Sequence, residues 1–86
     1  MHNNVIALSD LSVGEQGTII RLEGGHSFVG RMAALGFTPG TAVCVVRNSG
    51  HGPLIVSVMD TQIALGRGQA LNVQVHRAHA EAEILP

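Results

Sequence analysis

The chain has 86 residues, 45% of them apolar, with two phenylalanines, no tryptophan or tyrosine, one cysteine and a net charge of −1. That length makes one domain, and a domain so small buries only about 60–65% of its unfolded surface, so the apolar fraction must build a dense core. Five arginines against six acids, with no lysine, leave no basic field for nucleic acid, and the scarcity of aromatic rings leaves no platform for stacking bases.

Cys44, alone, excludes an intrachain disulfide and a thiolate metal cluster, and fits a reducing cytosol. Met1 to Ile6 lacks a basic stretch followed by a long apolar run, so no signal peptide is expected. With no apolar run of membrane-spanning length, any membrane role is expected to pass through a partner.

In chain order, Thr18 to Glu23 reads as a first strand, although the step Ile19-Ile20 leaves open which isoleucine points inward. Gly24-Gly25 ends it. His26-Ser27 offers an N-cap for a helix of about nine residues, with Phe28, Met32 and Leu35 at helical spacing and Gly30 inside it. Gly36 can take the left-handed conformation that stops a helix, and Pro39-Gly40 turns the chain. Thr41 to Arg47 then alternates, with Val43 and Val45 inward. Asn48 to Pro53 is a loop by composition, and Leu54 to Met59 is a strand with Leu54, Val56 and Val58 on one face. After a reversal at Asp60-Thr61 come strands over Gln62 to Leu65 and Leu71 to His76, joined by a turn at Gly66-Arg67-Gly68-Gln69. Ile63, Leu65, Val73 and Val75 are their expected core residues. The pattern predicts a mainly β fold, a small five-stranded barrel with one short α-helix between the first and second strands. Its core covers about residues 8–76, and residues 77–86 read as a loose tail.

No catalytic constellation emerges, and the chain does not read as an enzyme. Cys44 lies mid-strand, away from any helix start that would activate it, and Asp10, Glu15, Glu23 and Asp60 fall at turns or strand ends. Gly66-x-Gly68 is too short for a phosphate-binding loop. Among the histidines, His76 and His79, followed by Glu81 and Glu83, are near enough in sequence to share a divalent metal such as iron or zinc. The plainer reading is exposed histidines that take up such metals adventitiously, with no cofactor required. His26 starts the helix and His51 is a loop tip. A polyproline ligand would need an aromatic groove that this composition cannot supply. Phe37 stands just past the helix stop, where it either closes the barrel end or is an exposed contact, with Arg31 and Arg47 beside it.

The run Arg31-x-x-x-Leu35-Gly36-Phe37-Thr38-Pro39-Gly40-Thr41 resembles the signature of the FeoA family of ferrous-iron-uptake accessory proteins. Leu8 to Glu15, Gly52 to Val56 and Ile63 to Ala70 continue the likeness in the family's order, over roughly residues 8 to 75. The resemblance implies an SH3-like barrel and a cytosolic accessory role on FeoB, a membrane transporter with a cytosolic GTPase domain. The surface expected to meet FeoB comprises Arg31, Leu35, Gly36, Phe37 and Arg47, with the loop carrying His51 and Pro53. At Gly66 and Gly68 the chain departs from the charged, helix-forming residues frequent in the family, so a turn is expected in place of a short helix there. The alternative is a metal sensor or chaperone module akin to the SH3-like domains of iron-dependent repressors. Exposed strand edges would allow a dimer or trimer.

Overall fold

The computed structural model describes residues 5–78, which form six strands, β1 (Val5–Ala7), β2 (Gln16–Leu22), β3 (Ala42–Arg47), β4 (Leu54–Val58), β5 (Thr61–Leu65) and β6 (Val73–Arg77), and two helices, α1 (His26–Ala34) and α2 (Arg67–Leu71). A single 3-10 turn, Leu8–Asp10, follows β1. All six strands pair antiparallel in one sheet, in the order β1-β6-β2-β3-β4-β5. The expected count of five is corrected by β1, which pairs Val5, Ile6 and Ala7 with His76, Val75 and Gln74. Three residues are too few to display a period of two, so β1 had no signature of its own. The sheet accordingly begins before residue 8, where the core was expected to start. Of the expected tail, Arg77 belongs to β6 and pairs with Gly17, Ala78 donates its N–H to the Gln16 carbonyl at 3.0 Å, and residues 79–86 lie outside the described residues.

One core takes side chains from every layer: Leu8 and Leu11, Ile19 of β2, Met32 of α1, Phe37, Val43 and Val45, Leu54, Val56 and Val58, Leu65, Ala70 of α2, and Val73 and Val75. For a single sheet to surround one such cluster it must bend, and two bulges help it do so. Between Ile19 and Arg21 the β2–β6 register slips, leaving Ile20 as the extra residue. This resolves the double isoleucine: Ile19 is buried and Ile20, in the bulge, is half-buried. The same device at Val46 in β3 lets Val45 stay in the core while Val46 faces out.

α1 runs for nine residues as the spacing predicts, but its N-cap is Gly25 and no side chain bonds its first turn. Its end is a Schellman motif. Gly36, at φ 103°, donates to the Ala33 carbonyl at 2.9 Å, and Phe37 donates to the Met32 carbonyl at 2.9 Å. The apolar contact that accompanies this motif joins the residues at its two ends, and both Met32 and Phe37 are buried. Thr38-Pro39-Gly40-Thr41 then turns, Thr41 donating to Thr38 at 3.1 Å, and the turn docks on β2 through Gly40 N–H to the Ile19 carbonyl at 2.7 Å.

The turn expected at Gly66 to Gln69 is corrected to a helix, α2, which also takes Leu71 out of the last strand. Gln69 accounts for it: its Oε1 accepts the Gly66 N–H at 3.0 Å, so the residue at the third helical position caps the helix start from within. Ala70 is fully buried and anchors the turn, outweighing the helix penalty of Gly68.

Candidate functional site

β4 separates two surfaces. At its Val58 end the chain reverses through Met59 and Asp60, both with positive φ (51° and 64°), the signature of a type I′ turn usually built from Asn and Gly. Met59 packs over Gly36, where an added Cβ would come within 3.3 Å of its sulfur, and leaves 72% of its own surface exposed. Leu35, the last residue before Gly36, is 47% exposed. Arg31 lies one helical turn earlier on the same face and is exposed. Two large apolar side chains thus stand in solvent beside a cation with no ion pair to any described residue.

Near the Leu54 end an open groove of about 630 Å³ runs between the Ser9–Val13 segment, the loop after β3 and α2. Asn48 organises its floor. Its Nδ2 donates to the Ser9 carbonyl at 3.2 Å and the Leu11 carbonyl at 2.8 Å, while its Oδ1 accepts from the Gly50 N–H at 3.2 Å and from Arg67 Nη2. Arg67 Nη1 also donates to the Gly52 carbonyl at 3.0 Å. One amide and one guanidinium therefore lock three segments that have no shared ladder. Val13 and Leu71, 58% and 56% exposed, form apolar rims.

The surface expected from the sequence is therefore divided. Arg31, Leu35 and Gly36 gather at the Met59 end, whereas Arg47, paired with Ile55, and the loop with His51 and Pro53 lie at the other. Ile55 and Val58, next to the Met59 turn, are three residues apart on β4, roughly 10 Å. Phe37 is corrected outright: at 0% exposure its ring is core and presents nothing to a partner. The signal was available, because an apolar residue directly after a helix-stopping glycine is the usual partner of the last helical turn. Met59, Asn48, Arg67 and Leu71 were missed. Only Met59 had a cue, an apolar residue where a tight turn favours Asn or Gly.

His76 is exposed on β6, and His79 lies outside the described residues. His26 and His51 are exposed and far apart in the chain, and no group of three or more metal-ligating side chains occurs among the described residues. Glu15 pairs with Arg77, Oε2 to Nε at 3.2 Å, and Glu23 with Arg21 at 2.8 Å. No helix among the described residues is long and apolar enough to cross a membrane.

This bent antiparallel sheet with a short helix after its second strand has the architecture of the SH3-like domains. Residues 6–77 match the FeoA domain, and the chain belongs to that family of ferrous-iron transport proteins. A FeoA solved as an iron uptake regulatory protein is 32% identical and superposes with a TM-score of 0.82, covering 86% of this chain and 99% of that one. The Stenotrophomonas maltophilia FeoA, solved with zinc and described as a prokaryotic SH3-domain protein, is 27% identical with a TM-score of 0.76, covering 86% and 96%. In Porphyromonas gingivalis a fusion of Fe(2+) transport protein A with the Fe(2+) transporter FeoB is 31% identical over 80 residues, which are 92% of this chain and 10% of the fusion.

Proposed function

We propose that the chain is a non-enzymatic cytosolic accessory protein of ferrous-iron uptake that binds FeoB and modulates its transport or GTPase cycle. The observation that carries this reading is the fused relative, in which a domain of this kind shares one polypeptide with the transporter. Covalent linkage supplies a high effective concentration, which is useful only where the two parts work on each other. The contact surface is the exposed pair Leu35 and Met59 with Arg31 beside it, since apolar side chains rimmed by a cation suit a partner with an apolar patch and a nearby carboxylate. Arg47, His51 and Pro53 belong to the opposite end and form no part of it.

Titration of the protein into detergent-solubilised FeoB from the same organism, with and without GTP, followed by calorimetry, tests the reading. Saturable binding that Leu35→Glu abolishes is expected, with an affinity that changes with GTP. A folded protein that shows no heat of binding in either nucleotide state overturns it. A second reading, metal sensing through His76 and His79, draws on the zinc complex of the S. maltophilia relative. It requires stoichiometric Fe(II) or Zn(II) binding that His76→Ala removes.

A further inference from the structure

Strand β5 ends the sheet. It pairs with β4 and, among the described residues, with nothing else: no further backbone hydrogen bond reaches Thr61 to Leu65. Edge strands of soluble proteins are commonly blunted by lysine, proline or a bulge. β5 reads Thr-Gln-Ile-Ala-Leu, carries none of these, and keeps an unbroken register with β4 from Thr61 to Leu65.

The tight Met59-Asp60 turn determines which groups are bare. In a two-residue I′ hairpin the flanking pair, Val58 and Thr61, exchanges hydrogen bonds, and so do Val56 with Ile63 and Leu54 with Leu65. The N–H and C=O groups of Gln62 and Ala64 therefore point away from the sheet, and both residues are exposed. Their spacing is self-complementary. A two-fold axis through Ile63 sets Gln62 of one copy against Ala64 of the other and the reverse, making four backbone hydrogen bonds with Ile63 facing Ile63 at a non-hydrogen-bonded position. Centring on Gln62 or on Ala64 would form a single such pair within the strand.

Charge selects the same arrangement. The antiparallel register brings Asp60 of each copy opposite Gly66 of the other, one residue from Arg67. Asp60 is exposed, and neither it nor Arg67 has an ion pair among the described residues. A parallel arrangement would place like charges together. Ile63, half-buried against the core, would lose its remaining exposure against its symmetry mate.

We infer that β5 is a homodimerisation edge, pairing two copies of this chain about Ile63 into one continuous sheet. The inference does not depend on the transporter reading, which Leu35→Glu tests separately. Sedimentation equilibrium from micromolar to millimolar concentration should show the mass rising from 9.0 kDa toward twice that value. Gln62→Lys with Ala64→Lys sets lysines directly opposite one another at both hydrogen-bonded positions, on exposed side chains that the fold does not use. It should weaken the dimer about tenfold or more while leaving the circular dichroism unchanged. Ile63→Cys in a Cys44→Ser background reports register, since facing Cα atoms about 4.5 Å apart at a non-hydrogen-bonded pair can be bridged by a disulfide. Oxidation should therefore give a covalent dimer. A protein that stays monomeric to millimolar concentration overturns the inference. So does a dimer that neither the lysines weaken nor Ile63→Cys locks.

Discussion

Replacing Phe37 with alanine removes the largest side chain of the core and opens a cavity against Met32, its counterpart in the helix stop. Truncating a fully buried phenylalanine costs about 3–5 kcal/mol, the lost transfer energy plus the cavity left behind. A domain of this length has a total stability of roughly 4–13 kcal/mol at 0.05–0.15 kcal/mol per residue, so one substitution consumes a large part of it. Urea unfolding followed by far-ultraviolet circular dichroism is the suitable assay, because the chain has no tryptophan or tyrosine to report by fluorescence. With a slope near 1 kcal/mol/M, the midpoint should fall by about 3 M or more, or the variant should be unfolded before denaturant is added. Phe37→Leu should cost only about 1–2 kcal/mol, because it retains most of the buried volume. A Phe37→Ala protein within about 0.5 kcal/mol of the parent would behave as a surface variant and refute the placement of the ring. The same reasoning makes any Phe37 variant a poor probe of partner binding, since lost function would follow from lost fold.

Gly36→Ala should lower stability by about 1–2 kcal/mol in the same assay, because an L-residue is strained at φ 103° while the Met59 side chain can move aside. Met59→Asn combined with Asp60→Gly should raise stability by about 1 kcal/mol, read as a higher melting temperature, by giving the I′ turn the residues it favours. Asn48→Ala should cost about 1–3 kcal/mol, since the Ser9 and Leu11 carbonyls and the Arg67 guanidinium lose a partner together. Hydrogen exchange should quicken selectively along Ser9 to Val13 in that variant, and an unchanged rate there would show that Asn48 does not hold the groove.

What the sequence made legible was whatever alternates or caps within one segment. Val43 and Val45, Leu54, Val56 and Val58, and Val73 and Val75 all point inward as their period of two requires, and Gly36 stops the helix as its position requires. The five-strand count failed at Val5 to Ala7, whose strand character comes from pairing with β6 and not from its own pattern. The turn expected at Gly66 failed because two glycines outvoted a glutamine whose capping bond decides the conformation. The site was less legible still. Leu35 and Met59 are 24 positions apart and share one end of the molecule only because the β4–β5 hairpin folds Met59 back over Gly36, the residue next to Leu35. Asn48 and Arg67 likewise gain their roles from the segments they bridge.

β6, the last of the described strands in chain order, is not at the margin of the sheet but inside it, between β1 and β2. A chain emerging from the ribosome can close the β3–β4–β5 meander early, yet β2 must keep one side open until residues near 77 have left the exit tunnel. Only then can the three-residue β1, synthesised first, find its seat against β6. Completion of the fold thus waits for β6, and any shortening that removes β6 takes β1 with it.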